Sequence, residues 1–280
     1  MPARLAKRLI LFAITSILCL SGQVQAANTP IRFGSVAMDT PQVMHQRLLP
    51  LTRYLSRELG RPVELVLAPN MPAAISDVAN GNVELAYMTP VAYLRSKEIN
   101  DTQLIAKTVT DRRASFQLMI VVRNDSPLNS AQELSGKRFA FGDPAALLQR
   151  AVVVGAGIEL DTLDRYDFLD HYDNIIRGVL HRDYDAGIVK DTMAYKWQDR
   201  GIRILYRSPQ LPPYNITAAA HLDSDLIEAI RKAFLRLDSN SPEHRQVIHA
   251  LDPNYTGFAP TSDADYDIVR QLTAPFPASP

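Results

Sequence analysis

The stretch Gly136-Lys137-Arg138-Phe139-Ala140-Phe141-Gly142-Asp143-Pro144-Ala145-Ala146-Leu147-Leu148-Gln149-Arg150 decides the fold. Its apolar run, residues 139–141, is typical of a buried strand, and Gly142 permits the turn that follows. Asp143 is predicted to cap a helix over 145–154 that ends at 155–157. A strand that feeds a helix this way presents free backbone N–H groups at the edge of a sheet, where small anions bind. An ordinary βα turn without a ligand is the alternative.

Strand and helix patterns alternate on both sides of this stretch. Strands are predicted over 31–37, 63–67, 83–88, 104–109, 116–123, 139–141, 167–169, 186–189, 202–206 and 216–220. The chain after residue 220 is predicted to be helical. Such alternation is the signature of a parallel sheet covered by helices on both faces.

One pattern occurs twice. Residues 82–94 and 183–195 each read as a turn, a short apolar strand and the start of a helix. Two similar units suggest two lobes of like construction. Convergence on a common βα pattern is the alternative, because the two segments share few identical residues.

Composition and charge indicate a globular protein without affinity for nucleic acid. Hydrophobic residues make up 46% of the 280 residues, enough for the core of one large or two smaller domains. Beyond residue 26 the chain has 27 basic and 30 acidic residues, a net charge of −3. Binding to a phosphate backbone needs a clustered positive surface, so no nucleic-acid partner is expected.

Residues 1–26 read as a secretory signal peptide, with cleavage before Ala27. A basic start precedes an apolar segment, residues 9–20, that is too short to span a bilayer comfortably. The single cysteine, Cys19, lies in this segment, so the mature chain has none. A secreted protein of this size without disulfides suits the bacterial periplasm. We therefore expect a periplasmic protein.

The sequence contains no recognisable catalytic motif. It lacks a Gly-Xaa-Ser-Xaa-Gly elbow, a P-loop and a Gly-Xaa-Gly-Xaa-Xaa-Gly turn. Its six histidines are scattered rather than paired on a helix face. The carboxylate pairs Asp183/Asp185 and Asp263/Asp265 lie where turns or helix caps are expected. The sequence predicts binding rather than catalysis, with neither cofactor nor metal.

The side chains of a binding protein are expected at the carboxyl ends of its strands. Lys190 follows a buried apolar strand directly, so its ammonium faces a cleft, finds a partner or reaches solvent. Tyr93 and Tyr172 either line a ligand or belong to the core. The predicted ligand-binding residues are Met38, Thr89, Tyr93, Asp143, Ala145, Ala146, Leu147, His171, Tyr172, Lys190 and Asp191.

Several motifs have the order and spacing of one family. They are Arg47-Leu48-Leu49-Pro50-Leu51-Thr52-Arg53-Tyr54-Leu55-Ser56, Gly81-Asn82-Val83-Glu84-Leu85-Ala86-Tyr87, Val121-Val122-Arg123-Asn124-Asp125-Ser126-Pro127, Phe139-Ala140-Phe141-Gly142-Asp143-Pro144 and Asp183-Tyr184-Asp185-Ala186-Gly187. Together they resemble the phosphate/phosphite/phosphonate-binding proteins of bacterial ABC transporters. The resemblance runs from about Ile31 to Leu272.

The resemblance implies a two-lobed α/β periplasmic binding protein of type II, in which each lobe is a mostly parallel sheet flanked by helices. One lobe would hold residues 28–117 and 214–280, and the other residues 118–213. Such a protein captures a small, anionic ligand between its lobes and delivers it to an ABC permease of the inner membrane. We expect a monomer. A sensor that reports the ligand to a membrane receptor is the alternative, and an enzyme is a third possibility.

The chain departs from the family at the turn after Gly142. Family members that hold phosphonate or phosphate carry a Ser/Thr-rich turn there, whose hydroxyl and N–H groups bind the oxyanion. Here the turn is Ala145-Ala146-Leu147, which is expected to keep the N–H groups and lacks the hydroxyls. The family's cleft histidine corresponds to Tyr172, with His171 one place earlier. The resemblance therefore predicts the fold and leaves the ligand open.

Overall fold

The computed structural model describes residues 29–276, so the predicted signal peptide lies outside it. The described chain forms two β-sheets, each flanked by helices, and this confirms the prediction of a two-lobed α/β fold. The chain passes from the first sheet to the second and later returns. Within residues 29–276 no helix has the length and apolar character needed to cross a bilayer.

The first sheet has six strands in the order β11-β4-β10-β3-β1-β2. Its strands are β1 (Ile31–Ser35), β2 (Val63–Leu65), β3 (Leu85–Met88), β4 (Gln103–Thr110), β10 (Asn215–Ala218) and β11 (Tyr255–Ala259). The neighbours β2, β1 and β3 are parallel, whereas β10, β4 and β11 pair antiparallel.

The second sheet has five strands in the order β7-β6-β8-β5-β9. Its strands are β5 (Leu118–Arg123), β6 (Arg138–Phe141), β7 (Arg165–Phe168), β8 (Ala186–Lys190) and β9 (Ile202–Arg207). Strands β7, β6 and β8 are parallel, and β5 pairs antiparallel with both β8 and β9.

The expectation of mostly parallel sheets is wrong, because both sheets are mixed. Each parallel half is built from strand–helix–strand units, as the alternation predicted. Strands β5 and β10 follow the segments in which the chain passes from one sheet to the other. Each pairs antiparallel with the parallel part of its sheet. Strand β11 was also missed: Tyr255–Ala259 lies at the sheet edge and contains Gly257, and a glycine weakens the strand pattern in a sequence.

Nine α-helices surround the sheets in the described part of the chain. They are α1 (Pro41–Leu59), α2 (Met71–Ala79), α3 (Pro90–Ile99), α4 (Leu147–Gly155), α5 (Tyr172–Leu180), α6 (Asp191–Trp197), α7 (Ser224–Arg236), α8 (Pro242–Leu251) and α9 (Asp267–Thr273). Asn70 and Thr89 cap α2 and α3 with their side chains, and Asp223 caps α7. Ser262 and Asp265 form the predicted cap as a capping box ahead of α9.

The apolar core runs through both lobes. One cluster of buried side chains lies between the first sheet and α1, α7 and α8, and another lies between the second sheet and α5. A third joins the two lobes and includes Val152 of α4 and Val269 of α9. A Cβ added at Gly155 would lie 2.6 Å from Leu272 Cδ2, so α4 and α9 approach closely. The last helix thus packs on a helix of the second lobe, although it follows the first sheet in the chain.

A pair of buried tyrosines makes the first sheet sensitive to alkaline pH. The hydroxyls of Tyr87 and Tyr255 are 2.6 Å apart. Burial raises the pKa of both phenols above the usual value of about 10. Above pH 10 the unfolded chain therefore releases protons that the folded chain keeps. The free energy of unfolding is unaffected below that pH and falls as pH rises through it, by about 1.4 kcal/mol per pH unit for each such tyrosine.

We predict that Tyr87→Phe reduces this alkaline slope by about 1.4 kcal/mol per pH unit, since one titrating group is gone. At neutral pH it should lower the free energy of unfolding by about 1–3 kcal/mol, because the Tyr255 hydroxyl loses its partner. Urea unfolding between pH 7 and pH 11 measures both effects. Tyr195→Phe is the control, because Tyr195 is 45% exposed. Equal slopes for wild type and Tyr87→Phe would contradict the prediction.

Candidate ligand-binding cleft

A cleft of about 400 Å³ lies between the two sheets. It is bounded by the segments that follow β1, β3, β6, β7 and β8, which are the carboxyl ends of the parallel strands. Segments that precede β5, β10 and β11 complete its walls. A crevice at strand carboxyl ends is where open α/β sheets bind ligands. The cleft is therefore the candidate site.

Thr89 and Lys190 face the cleft from opposite lobes. They hold corresponding positions in the repeated pattern of residues 82–94 and 183–195, since each lies between a buried strand and a helix and is the N-cap of that helix. The Thr89 hydroxyl oxygen accepts a hydrogen bond from the Ala92 N–H at 3.1 Å, which leaves its own proton free to donate. The repeat therefore brings two polar groups to one cleft.

Lys190 supplies the positive charge of the cleft. Its Nζ lies 5.4 Å from the centre of the Phe116 ring, a cation–π distance. Among residues 29–276 the Lys190 Nζ forms no ion pair with a carboxylate and no hydrogen bond. The sequence left three environments open for this lysine, and the structure places it in the cleft.

The structure brings most of the predicted site residues together. Those that line the cleft are Met38, Thr89, Asp143, Ala145, Ala146, Leu147, His171, Tyr172 and Lys190. They come from both lobes, which agrees with a ligand held between them. Within residues 29–276 no three histidine, cysteine or acidic side chains are grouped so that they could hold a metal ion.

Tyr93 and Asp191 do not line the cleft, so their placement there was wrong. Tyr93 is buried in α3, where its hydroxyl donates to the Asp263 carboxylate at 2.5 Å and its ring packs on Tyr266. Asp191 begins α6 and is 3% exposed. Its carboxylate accepts hydrogen bonds from the backbone N–H groups of Gln117 and Thr192 at 3.2 and 2.8 Å. Both side chains form hydrogen bonds within the protein and do not face the cleft.

The turn between β6 and α4 also differs from the prediction. Asp143 does not cap the helix, which begins at Leu147 after Ala146 as N-cap. Instead the Asp143 carboxylate accepts a hydrogen bond from the Ala145 N–H at 2.7 Å, and its main-chain carbonyl accepts one from the Ala146 N–H at 2.9 Å. An Asx turn of this kind competes with helix capping, and Pro144 favours it.

The backbone N–H groups of this turn are consequently engaged. The Leu147 N–H donates to the Ala145 carbonyl at 2.9 Å, so the three groups expected to be free all have acceptors within the turn. The stretch that resembled an anion-binding turn therefore satisfies its own donors. Its side chains, two alanines and a leucine, form an apolar wall of the cleft.

Gln149 is a site residue that the sequence reasoning missed. It is buried within α4, and its side-chain oxygen accepts a hydrogen bond from the Gly142 N–H at 2.8 Å. Burial raises the pKa of the Tyr172 phenol, and a hydrogen bond between that phenol and Gln149 opposes the rise. A single glutamine within the apolar run 145–154 was the available signal, because a buried polar side chain needs a partner.

Other missed residues lie on connecting segments or at the ends of helices and strands, and they carry no sequence signal of a site. They are Ala37, Met71, Pro90, Val91, Phe116, Leu118, Leu148, Asp170, Pro213, Tyr214 and Asp252, with Tyr255 on the edge strand. Tyr214 stacks on Tyr87 with ring centres 5.1 Å apart. Burial raises the pKa of Tyr214 to about 12, and the carboxylates of Asp143 and Asp252 contribute to the rise. Its phenol therefore remains a hydrogen-bond donor at neutral pH.

We predict that Gln149→Leu lowers the free energy of unfolding by about 1–3 kcal/mol, because the Gly142 N–H is then buried without an acceptor. Tyr172→Phe should cost about 0.5–1.5 kcal/mol. The double variant should lose less free energy of unfolding than the sum of the two single losses, because either single substitution already breaks the hydrogen bond between the two side chains. Chemical denaturation of the four proteins measures this, and strict additivity would show that the side chains do not interact.

The chain matches, over residues 33–266, the family described as ABC transporter, phosphonate, periplasmic substrate-binding protein. Phosphate-import protein PhnD of Mycolicibacterium smegmatis is 24% identical over 253 residues, which cover 80% of this chain and 78% of that protein.

Two solved structures share the fold. XAC2383 from Xanthomonas citri bound to ATP has a TM-score of 0.73 and 18% identity, and the match covers 88% of this chain and 96% of that one. PhnD1 from Prochlorococcus marinus in complex with methylphosphonate has a TM-score of 0.70 and 17% identity, with coverage of 88% and 97%. The resemblance seen in the sequence is confirmed, and the chain belongs to the family of periplasmic substrate-binding proteins of phosphonate ABC transporters.

Proposed function

We propose that this protein captures a small oxyanion of the phosphonate or phosphate type in the cleft and delivers it to an ABC permease of the inner membrane. The observation that carries the proposal is Lys190, a cation in the cleft without a carboxylate partner among residues 29–276. An anionic ligand would complete its environment with a charge-assisted hydrogen bond. The names of the relatives, a phosphate-import protein and a methylphosphonate complex, indicate which anions to test first.

The ligand is held from both lobes in this proposal. Thr89 presents a hydroxyl from the first lobe and Lys190 an ammonium from the second, and Tyr214 also lines the cleft. A ligand that bonds to both lobes favours the arrangement in which they are close together. Closure of this kind gives the permease a surface that differs from that of the ligand-free protein.

The mature protein is proposed to begin at Ala27 and to act as a monomer in the periplasm. The lobes are proposed to comprise residues 28–117 with 214–280, and residues 118–213. Among residues 29–276, the exposed large hydrophobic side chains belong to separate elements and form no patch within one helix or strand. They are Val66, Ile99, Tyr166, Tyr195 and Leu235. A catalytic role is not proposed, because the relatives are named as substrate-binding and import proteins.

The proposal is tested by calorimetric titration of the mature protein, residues 27–280, with methylphosphonate, phosphite and phosphate. We expect at least one of them to bind with a dissociation constant on the order of 10⁻⁶ M. Lys190→Met should weaken that binding by about tenfold or more, since a hydrogen bond to a charged group contributes about 1.5–3 kcal/mol.

Lys196→Met is the matched control, because Lys196 is an exposed lysine of α6 that does not line the cleft. Its affinity should remain within about twofold of wild type, as for other exposed positions remote from the site. The absence of binding by all three anions would overturn the proposal. Equal effects of the two lysine substitutions would overturn the placement of the anion at Lys190.

A further inference from the structure

The turn that follows β6 offers an oxyanion little to bind. The N–H groups of Ala145, Ala146 and Leu147 donate to acceptors within the turn. None of these residues has a side-chain donor, and the Asp143 carboxylate lies beside them in the cleft. A second anion placed there would be repelled by that carboxylate and would find few donors. The turn therefore contacts a part of the ligand other than its charged group.

Apolar side chains of both lobes, including Leu147 of this turn, line the cleft. We call the following residues the apolar walls: Met38, Met71 and Val91 from the first lobe, and Leu118, Leu147 and Leu148 from the second. Met38, Met71, Val91 and Leu147 are partly exposed, so a ligand can cover them. Covering apolar surface is favourable in proportion to its area. An oxyanion without an apolar substituent would leave this apolar surface in contact with water or with the charged group of the ligand.

The charged side chains of the cleft support the same conclusion. Lys190 lies over the Phe116 ring, and Asp143, Asp170 and Asp252 also line the cleft. Two of these carboxylates already accept backbone hydrogen bonds, Asp143 from Ala145 and Asp252 from Asn254. The set matches one anionic group at the lysine and disfavours further negative charge elsewhere in the cleft.

The size of the cleft fits a ligand with more than a charged group. Its volume of about 400 Å³ lies within the range of roughly 300–1,000 Å³ that is typical of pockets for larger organic ligands. Methylphosphonate has a single carbon and would contact only part of the apolar walls.

We infer that the ligand is an oxyanion that carries an apolar substituent of several carbons, with the oxyanion at Lys190 and the substituent between the apolar walls. This inference rests on the proposed function and names the substrate class of the same cleft. It assigns Leu147 and Met71 as residues that determine specificity, one from each lobe.

The inference is tested by calorimetric titration of the mature protein with methylphosphonate, hexylphosphonate and hexanesulfonate, and with hexanol as a neutral probe. We expect hexylphosphonate to bind about tenfold or more tightly than methylphosphonate, since each added methylene buries apolar surface. The heat-capacity change on binding hexylphosphonate should be more negative than that for methylphosphonate. If hexanesulfonate binds as tightly as hexylphosphonate, the site accepts either acid group. If it binds more weakly, the site selects phosphonates. Both results support the inference. Hexanol should bind at least about tenfold more weakly than hexylphosphonate, because it lacks the charge.

Two variants localise the substituent. Leu147→Ala and Met71→Ala should each reduce the affinity for hexylphosphonate several-fold more than the affinity for methylphosphonate, because the longer ligand covers more of the apolar walls. Leu235→Ala is the matched control, an exposed leucine of α7 that should change neither affinity. Equal losses for the short and the long ligand would overturn the assignment of these two residues.

The outcomes separate this inference from the proposed function. Binding of methylphosphonate with no gain for hexylphosphonate overturns the inference and leaves the proposed function intact. Hexanol binding as tightly as hexylphosphonate overturns the role given to the oxyanion. If methylphosphonate, phosphite, phosphate and both hexyl anions all fail to bind, the proposed function fails as well.

Discussion

Buried strands have to end where polar groups can reach solvent or a partner, and this constraint organises the molecule. In both lobes the central strands have no exposed side chains, so polar residues gather just beyond them. Thr89 and Lys190 are such residues, and each occupies the N-cap position of the helix that follows its strand. Because the carboxyl ends of the two sheets face one another, the cleft receives its polar groups from the same local rule applied twice.

The alternation of strands and helices predicted sheets flanked by helices, and the family resemblance supplied the two-lobed arrangement. Lys190 could be identified from its place after an apolar strand. The antiparallel strands could not be foreseen, because the direction of β5 and β10 is set by the path of the chain between lobes rather than by local pattern. Strand β11 was hidden by Gly257. Sequence also could not fix side-chain direction, which is why Tyr93 was placed in the cleft although it bonds to Asp263 behind it.

The turn after β6 shows how local competition changes a site. An aspartate before a proline can cap a helix or bond to the backbone two residues on, and the sequence does not decide between the two. Here the second arrangement is adopted, and α4 begins at Leu147. A family motif therefore keeps its place at the cleft while its chemistry changes from donor groups to an apolar surface. A fold can therefore be kept while the chemistry of a turn at its site changes.

The contact between Asp143 and the Ala145 N–H has a consequence for the ligand-free protein. At an open helix N-terminus the backbone N–H groups lack an acceptor within the protein and can bond to an external anion. A loop that carries its own acceptor needs no external anion. The backbone of this cleft edge is thus held by hydrogen bonds that need no ligand, so less conformational entropy is left to lose on binding than in a turn whose donors are free.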